Sequence, residues 1–130
     1  MSLDVSPALL AQAEAGPVDP ADFLDTVRTS LPYAYDLIAS LAKDLEASDR
    51  PFADNLTAPP SETERGQLLR ALSSDAIRTS LETHFQVRLA FQNCHRVAAF
   101  RTPAQNTETY RDFTSQRAQI LNQSPELRDC

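Results

Sequence analysis

Glycine is scarce in this 130-residue chain, which contains only Gly16 and Gly66. Glycine-rich phosphate loops and dinucleotide-binding turns need several backbone positions without a Cβ atom, so the sequence excludes both. Apolar runs are also short, and none approaches the roughly 20 residues that cross a bilayer. The length and the ordinary composition favour one globular domain over residues 1–130 without a disulfide or a metal to hold it together.

Cysteine is equally sparse, with Cys94 and Cys130 as its two occurrences. Neither lies in a C-x-x-C spacing, and the two histidines do not form an H-x-x-x-H pair, so we predict no metal site and no cofactor. No basic segment followed by an apolar stretch opens the sequence. We therefore expect a cytoplasmic protein with reduced thiols.

Lysine is nearly absent, because Lys43 is the single lysine among 12 basic residues. The net charge is −6, and it is unevenly distributed. Residues 1–60 hold 10 acids and 3 bases, whereas residues 61–101 hold 4 acids and 6 arginines. An acidic surface repels polyanions at long range, but the arginine-bearing middle is a local exception.

Helix start signals recur along the first two thirds of the chain. Ser6 and Asp19 each precede a proline, the combination typical of an N-cap and the first helical position. Ser61 and Glu64 form a capping box. Apolar residues at three- and four-residue steps follow these signals. The pattern predicts helices at about 7–15, 20–29, 32–47, 62–72 and 75–85.

The period changes after residue 85. Val87, Leu89 and Phe91 alternate with other residues, which is the pattern of a strand, and residues 96–101 can pair back on it. We expect a loop at 48–60, pinned to the core by Phe52 and Leu56, a last helix at about 107–122, and a mobile tail at 124–130. The predicted fold is mainly α: a single domain of five to six short helices with a small antiparallel β-hairpin near 86–101.

The function that fits this composition is a non-enzymatic interaction or regulatory module that acts through an exposed apolar and aromatic helical surface. Tyr33 and Tyr35 cannot share one helix face at a spacing of two, so one of them points away from the apolar stripe. Together with Tyr110 and Phe113 of the last helix, they are our candidate contact residues. The expected partner is another protein, or a second copy in a homodimer, and not a membrane.

A winged helix-turn-helix that binds nucleic acid is the alternative. Residues 61–101 present helix, turn, helix and hairpin in the order of such a module, whose second helix enters the major groove. The candidate contacts are Arg78, Thr79, His84, Arg88, Arg96 and Arg101. Phosphate affinity scales with the number of cations engaged, and six arginines offset by four acids are few.

A second alternative is a small-ligand site or an enzyme at Cys94 and His95. Adjacent residues on a strand point to opposite faces, but a turn at 92–95 can bring their side chains together. Nucleophilic catalysis needs a thiol beside a base. An enzyme would require a deep pocket lined by Cys94, His95 and a third polar group, and we name no catalytic residue.

Overall fold

The computed structural model describes residues 2–92, 95–103 and 107–121. Seven helices and three strands occur in these ranges. In chain order they are α1 (Pro7–Ala15), α2 (Pro20–Ser30), α3 (Pro32–Glu46), β1 (Phe52–Asp54), α4 (Glu62–Ser73), α5 (Asp75–Phe85), β2 (Val87–Gln92), β3 (Arg96–Arg101), α6 (Glu108–Phe113) and α7 (Gln116–Leu121). The mainly helical single domain with a small antiparallel hairpin is thereby confirmed.

Side-chain caps begin the helices where the sequence predicts them. The Ser6 hydroxyl accepts a hydrogen bond from the Leu9 N–H at 3.1 Å, and the Asp19 carboxylate accepts one from the Ala21 N–H at 2.8 Å. Ser74 caps α5 in the same way. These bonds satisfy backbone donors that the first helical turn leaves without partners.

Gln86 makes the change from helix to strand. Its φ of 55° and ψ of 47° lie in the left-handed region, and its N–H donates to the Glu82 carbonyl at the end of α5. One residue in this conformation ends a helix and redirects the chain. β2 therefore starts at Val87, directly after the helix.

The three strands form one antiparallel sheet with β3 between β1 and β2. Leu89 lies opposite Ala99, Ala90 lies opposite Ala98, and Phe52 of β1 lies opposite Phe100. Because side chains alternate between the two faces of a sheet, this register separates two hydrophobic clusters.

The two faces of the sheet are covered differently. The inner face packs on helices α3 to α5, and α2 packs on α3 and α5. The side chains that form this core include Val27, Ile38, Leu41, Leu68, Ile77, Leu81, Val87, Leu89, Val97 and Ala99. The outer face carries a smaller cluster that α6 covers, formed by Phe52, Ala90, Ala98, Phe100, Tyr110 and Phe113. The outer face is therefore a thin second layer.

Two boundaries differ from the sequence-based prediction. The last helix is divided, because Thr114 and Ser115 end α6 and the Ser115 hydroxyl accepts the Ala118 N–H at 3.1 Å to start α7. The predicted loop at 48–60 contains strand β1, in which Phe52 packs against the outer cluster as expected. Leu56 is 91% exposed, so the prediction that it pins this segment to the core was wrong.

No helix within the described residues has both the length and the apolar character needed to span a membrane. The tail predicted at 124–130 lies outside the described residues.

Candidate interaction surface

Tyr35 lies at the edge of the inner core. Its ring centroid is 5.4 Å from that of Phe85, and its hydroxyl lies 3.4 Å from Nε2 of His84. Tyr35 is half-buried. This tyrosine thus joins α3 to the end of α5, and only part of its ring faces solvent.

Tyr33 lies on the other side of α3, as the spacing of two predicts. Its N–H donates to Oε1 of Gln67 at 2.7 Å, and Gln67 is 9% exposed. Burial, with a smaller contribution from the negative charge of Glu64, raises the pKa of the Tyr33 phenol above its usual value. The phenol therefore stays neutral between the first turns of α3 and α4.

Tyr110 and Phe113 lie together on the outer face of the sheet, away from Tyr33 and Tyr35. Both rings contact Phe100 edge-on, with centroid distances of 5.1 Å and 5.5 Å. Phe113 is 7% exposed. Its apolar surface is consequently covered within the chain in this conformation.

The candidate nucleic-acid contacts on α5 are occupied by bonds inside the chain. Arg78 contacts the Asp75 carboxylate at 2.7 Å and the Glu82 carboxylate at 3.9 Å. The Thr79 hydroxyl donates to the Asp75 carbonyl at 2.6 Å. His84 is exposed and lies against Phe85, with ring centroids 4.7 Å apart.

Two hairpin arginines face the outer side of the sheet. Arg88 lies 3.7 Å from the Glu82 carboxylate and donates to the Tyr110 hydroxyl at 3.4 Å, and this hydrogen bond is the main cause that raises the pKa of Arg88. Arg96 donates through Nε and Nη2 to one oxygen of Asp54, at 3.0 and 2.7 Å. Arg96 also lies over the Phe113 ring, 5.2 Å from its centroid.

Arg101 points toward the end of α3. It donates to the Arg50 carbonyl at 3.0 Å and also to the carbonyls of Leu45 and Ser48. A cation at a helix C-terminus complements the helix dipole and satisfies carbonyls that the last turn leaves without partners. The predicted nucleic-acid contacts are thus distributed over α5, the outer sheet face and the end of α3, and each arginine has a partner within the domain.

A groove between α2 and α5 has a mainly apolar open surface. It encloses about 680 Å³. The lining side chains are Val18, Pro20, Ala21, Phe23, Leu24, Ala76, Thr79, Ser80, Thr83 and His84. Small side chains on α5 leave this space open, and Phe23 and Leu24 of α2 form an apolar wall. We refer to it as the α2–α5 groove.

Two acidic residues, Asp19 and Asp22, are sequence neighbours of residues that line the groove at the start of α2. Residues 2–30 hold five acids and one arginine, a net charge of −4. The Asp22 carboxylate accepts a hydrogen bond from the Gln12 amide at 2.9 Å, and Asp19 accepts one from a backbone N–H. Because these donors are neutral, the negative charges of Asp19 and Asp22 are not cancelled by the bonds they accept.

His95 borders a smaller pocket of about 340 Å³ beside Asp54, Asn55 and Arg96. Burial, followed by the positive charges of Arg65 and Arg96, lowers the pKa of His95. Asn55 bonds to the backbone at both His95 and Val97, and Asp54 is paired with Arg96. Cys94 lies outside the described residues, so its distance from His95 is not described.

No group of three or more His, Cys, Asp or Glu side chains suited to a metal ion occurs in residues 2–92, 95–103 and 107–121.

The α2–α5 groove was not predicted from the sequence. Phe23, Leu24 and Val27 recur at helical steps, a pattern typical of the buried side of a helix. Only Val27 is fully buried. A usable signal was the run of small and hydroxyl side chains at Ala76, Thr79, Ser80 and Thr83 of α5, which cannot close a gap against a neighbouring helix.

The elements follow one another in the order α3–β1–α4–α5–β2–β3, with β3 in the middle of the sheet. This arrangement defines a class of scaffold and does not by itself define an activity. The chain belongs to the family described as NucS shadow ORF, whose model matches residues 1–130. That description assigns no activity, and no curated protein and no solved structure matches the chain.

Proposed function

We propose that the protein is an interaction module that binds an amphipathic helix of a partner protein in the α2–α5 groove. The observation that carries this proposal is the contrast between an open apolar groove of about 680 Å³ and hairpin arginines that are bonded within the domain. A helix that lays its apolar face into a hydrophobic groove is a common mode of peptide recognition.

The negative charge near the groove indicates which side chains flank the apolar stripe of the partner helix. The negative charges of Asp19 and Asp22 favour basic residues beside the apolar stripe, because complementary charges speed encounter and fix the register of docking. The partner we propose is therefore an amphipathic helix with Lys or Arg on both sides of its apolar face. The hydroxyls of Thr79 and Thr83 border the opposite side of the groove.

The test is a titration of the full chain with a fluorescent helical peptide that carries a leucine stripe flanked by lysines. A peptide of the same composition, with its order scrambled to break the stripe, is the reference. Thr83→Arg places a long cation in the groove near the C-terminus of α5, where it is compatible with the helix dipole. We expect it to weaken binding about tenfold, the equivalent of about 1.4 kcal/mol.

Thr29→Arg is the matched control, because Thr29 is an exposed threonine in the last turn of α2 and does not line the groove. We expect this variant to bind within about twofold of the original chain, which corresponds to a few tenths of a kcal/mol. Equal binding of the scrambled peptide, or equal losses in the two variants, would contradict the proposal.

Nucleic-acid binding is the second candidate, and the winged-helix element order is the observation that favours it. A fluorescent duplex titrated at low salt distinguishes the two functions. The interaction proposal expects no binding at about 50 µM protein, a concentration within the usual range for non-specific DNA binding. Binding that weakens steeply with salt and is lost in Arg88→Ala would favour the second candidate instead.

A further inference from the structure

One edge of the sheet is open beside helix α7. The Val97 N–H donates to the Asn55 side chain at 2.9 Å, and the Val97 carbonyl accepts from the Asn55 N–H at 3.3 Å, so the backbone of Val97 faces β1. The backbone groups of a strand alternate in direction, so Ala98 of β3 faces β2 and pairs there with Ala90. The backbone N–H and C=O groups of Leu89 and Phe91 on β2 consequently point away from β3, toward the open edge of the sheet.

At this edge, the backbone N–H of Leu89 has a hydrogen-bond acceptor within the described part of the chain, whereas that of Phe91 does not. The outward N–H of Leu89 donates to the Glu82 carboxylate at 2.8 Å. Among the described residues, none accepts the corresponding N–H of Phe91. An exposed strand edge of this kind is a template for pairing with another chain.

A groove of about 550 Å³ lies next to Phe91, and α7 forms one of its walls. The side chains that line it include Phe91, Gln92, Phe113, Gln119 and Ile120. α7 has no buried residue, and its last two side chains, Ile120 and Leu121, are 71% and 64% exposed. Ile120 thus projects from the rim of a recess that is also lined by Thr114, Ser115 and Gln116, and whose open surface is more apolar than polar.

The surface formed by residues 107–121 has no net charge, so two copies of it can meet without a net repulsion. Residues 107–121 hold Glu108, Asp112, Arg111 and Arg117, a net charge of zero in a chain whose total is −6. Residues 1–60 and 61–101 carry net charges of −7 and +2, so a twofold contact through either segment would bring together like net charges. In residues 107–121, by contrast, Arg117 of one copy can approach Asp112 of the other. Asp112 and Arg117 are both exposed.

We propose that the protein forms a twofold homodimer in which Ile120 of each copy enters the groove beside Phe91 of the other. Because the projection and the recess belong to the same surface, a twofold axis satisfies both at once and the assembly closes at two chains. This dimer uses a different surface from the α2–α5 groove, so it is independent of the proposed partner helix.

The test is sedimentation equilibrium of the full chain up to about 100 µM, a concentration that reveals even weak association. We expect a mass of twice 14.4 kDa. Ile120→Arg should weaken dimerisation at least tenfold and leave circular dichroism and binding of the lysine-flanked peptide unchanged. The matched control is Leu69→Arg, since Leu69 is an exposed leucine on α4 that does not line the groove, and it should remain dimeric.

A charge exchange gives a second measurement. Asp112→Arg or Arg117→Asp alone should weaken the dimer, and the two together should restore it, because coupled residues are non-additive. A monomer at all concentrations, a dimer that survives Ile120→Arg, or a loss in Leu69→Arg equal to that in Ile120→Arg would overturn the proposal. The peptide titration is unaffected by each of these outcomes, so failure of the dimer is distinguishable from failure of the proposed function.

Discussion

The arginine-bearing hairpin and the α2–α5 groove both lie next to helix α5, but they differ in whether their side chains have partners within the domain. The hairpin and its surroundings are rich in arginine, and each of Arg78, Arg88, Arg96 and Arg101 bonds within the domain. The α2–α5 groove has little charge in its lining and leaves Phe23 and Leu24 only half-buried. The arginines are thus bonded within the fold, whereas the apolar surface of the groove is left uncovered.

Arg96→Ala should have the largest effect on stability among the changes that test this comparison. The Asp54 carboxylate, whose side chain is 8% exposed, loses its cation, and the contact of Arg96 with the Phe113 ring is lost as well. We expect a loss of about 2–3 kcal/mol in the free energy of unfolding, measured with urea. Arg96→Lys keeps the positive charge but cannot bond to Asp54 through two nitrogens, so it should lower the free energy of unfolding by less than Arg96→Ala does.

A small effect of Arg96→Ala on unfolding, accompanied by weaker binding to nucleic acid, would mean that this arginine serves a ligand and not the fold.

Arg101→Ala should cost about 1 kcal/mol, because an exposed cation at a helix end is stabilised by the dipole and by its hydrogen bonds but is screened by solvent. Thermal unfolding measures the change. Arg28→Ala is the control, since Arg28 and Asp25 form a pair whose side chains are 56% and 60% exposed. Exposed pairs contribute little, so the control should change stability by less than about 0.5 kcal/mol. Equal losses in the two variants would contradict a structural role for Arg101.

Ser74→Ala should also cost about 1 kcal/mol, because it removes the cap of α5, the helix shared by the two regions. Hydrogen exchange should show faster opening through α5 and at the groove. Ser6→Ala removes a similar cap from α1, where Leu9 is the only buried residue, and should affect α1 alone. Opening confined to the first turn of α5 in Ser74→Ala would show that the groove does not depend on this cap.

Acidification should produce the smallest of these changes in the free energy of unfolding. Since burial and then Arg65 and Arg96 lower the pKa of His95 in the folded chain, the unfolded state binds more protons below the ordinary histidine pKa of about 6.5. Stability should therefore fall as the pH drops from 6.5 toward the lower folded pKa. His95→Gln should reduce this loss of stability, which urea unfolding at pH 7 and at pH 5 measures. An equal loss in His95→Gln and in the original chain would contradict this expectation.

Much of the fold was predictable because local signals agreed with one another. The caps at Ser6, Asp19 and Ser61, the apolar residues at helical steps and the change of period after Phe85 together located the first five helices and the hairpin correctly. Strand β1 was missed because Phe52–Asp54 is three residues long and gains its order from pairing with β3, a contact between distant parts of the chain. The break in the last helix was missed because Thr114 and Ser115 bond locally to the backbone.

The candidate surface was less predictable than the fold. A count of charges in residues 61–101 indicates a net positive block, but it does not show that Glu82 lies between Arg78 and Arg88 or that Asp54 reaches Arg96 across the sheet. The aromatic residues were identified by type, and Phe113 is covered by its own sheet. Which side chains remain open depends on packing between helices, and a local pattern does not specify it.

An NMR titration of the full chain with the lysine-flanked helical peptide and, separately, with duplex DNA tests directly whether the α2–α5 groove or the hairpin arginines bind a partner. We expect the peptide to shift the amide signals of Phe23, Ala76 and Thr83, and we expect DNA at low salt to shift none of the signals of the arginine-bearing hairpin. Shifts at Arg88 and Arg96 on addition of DNA, with no response of the α2–α5 groove to the peptide, would contradict the proposed function.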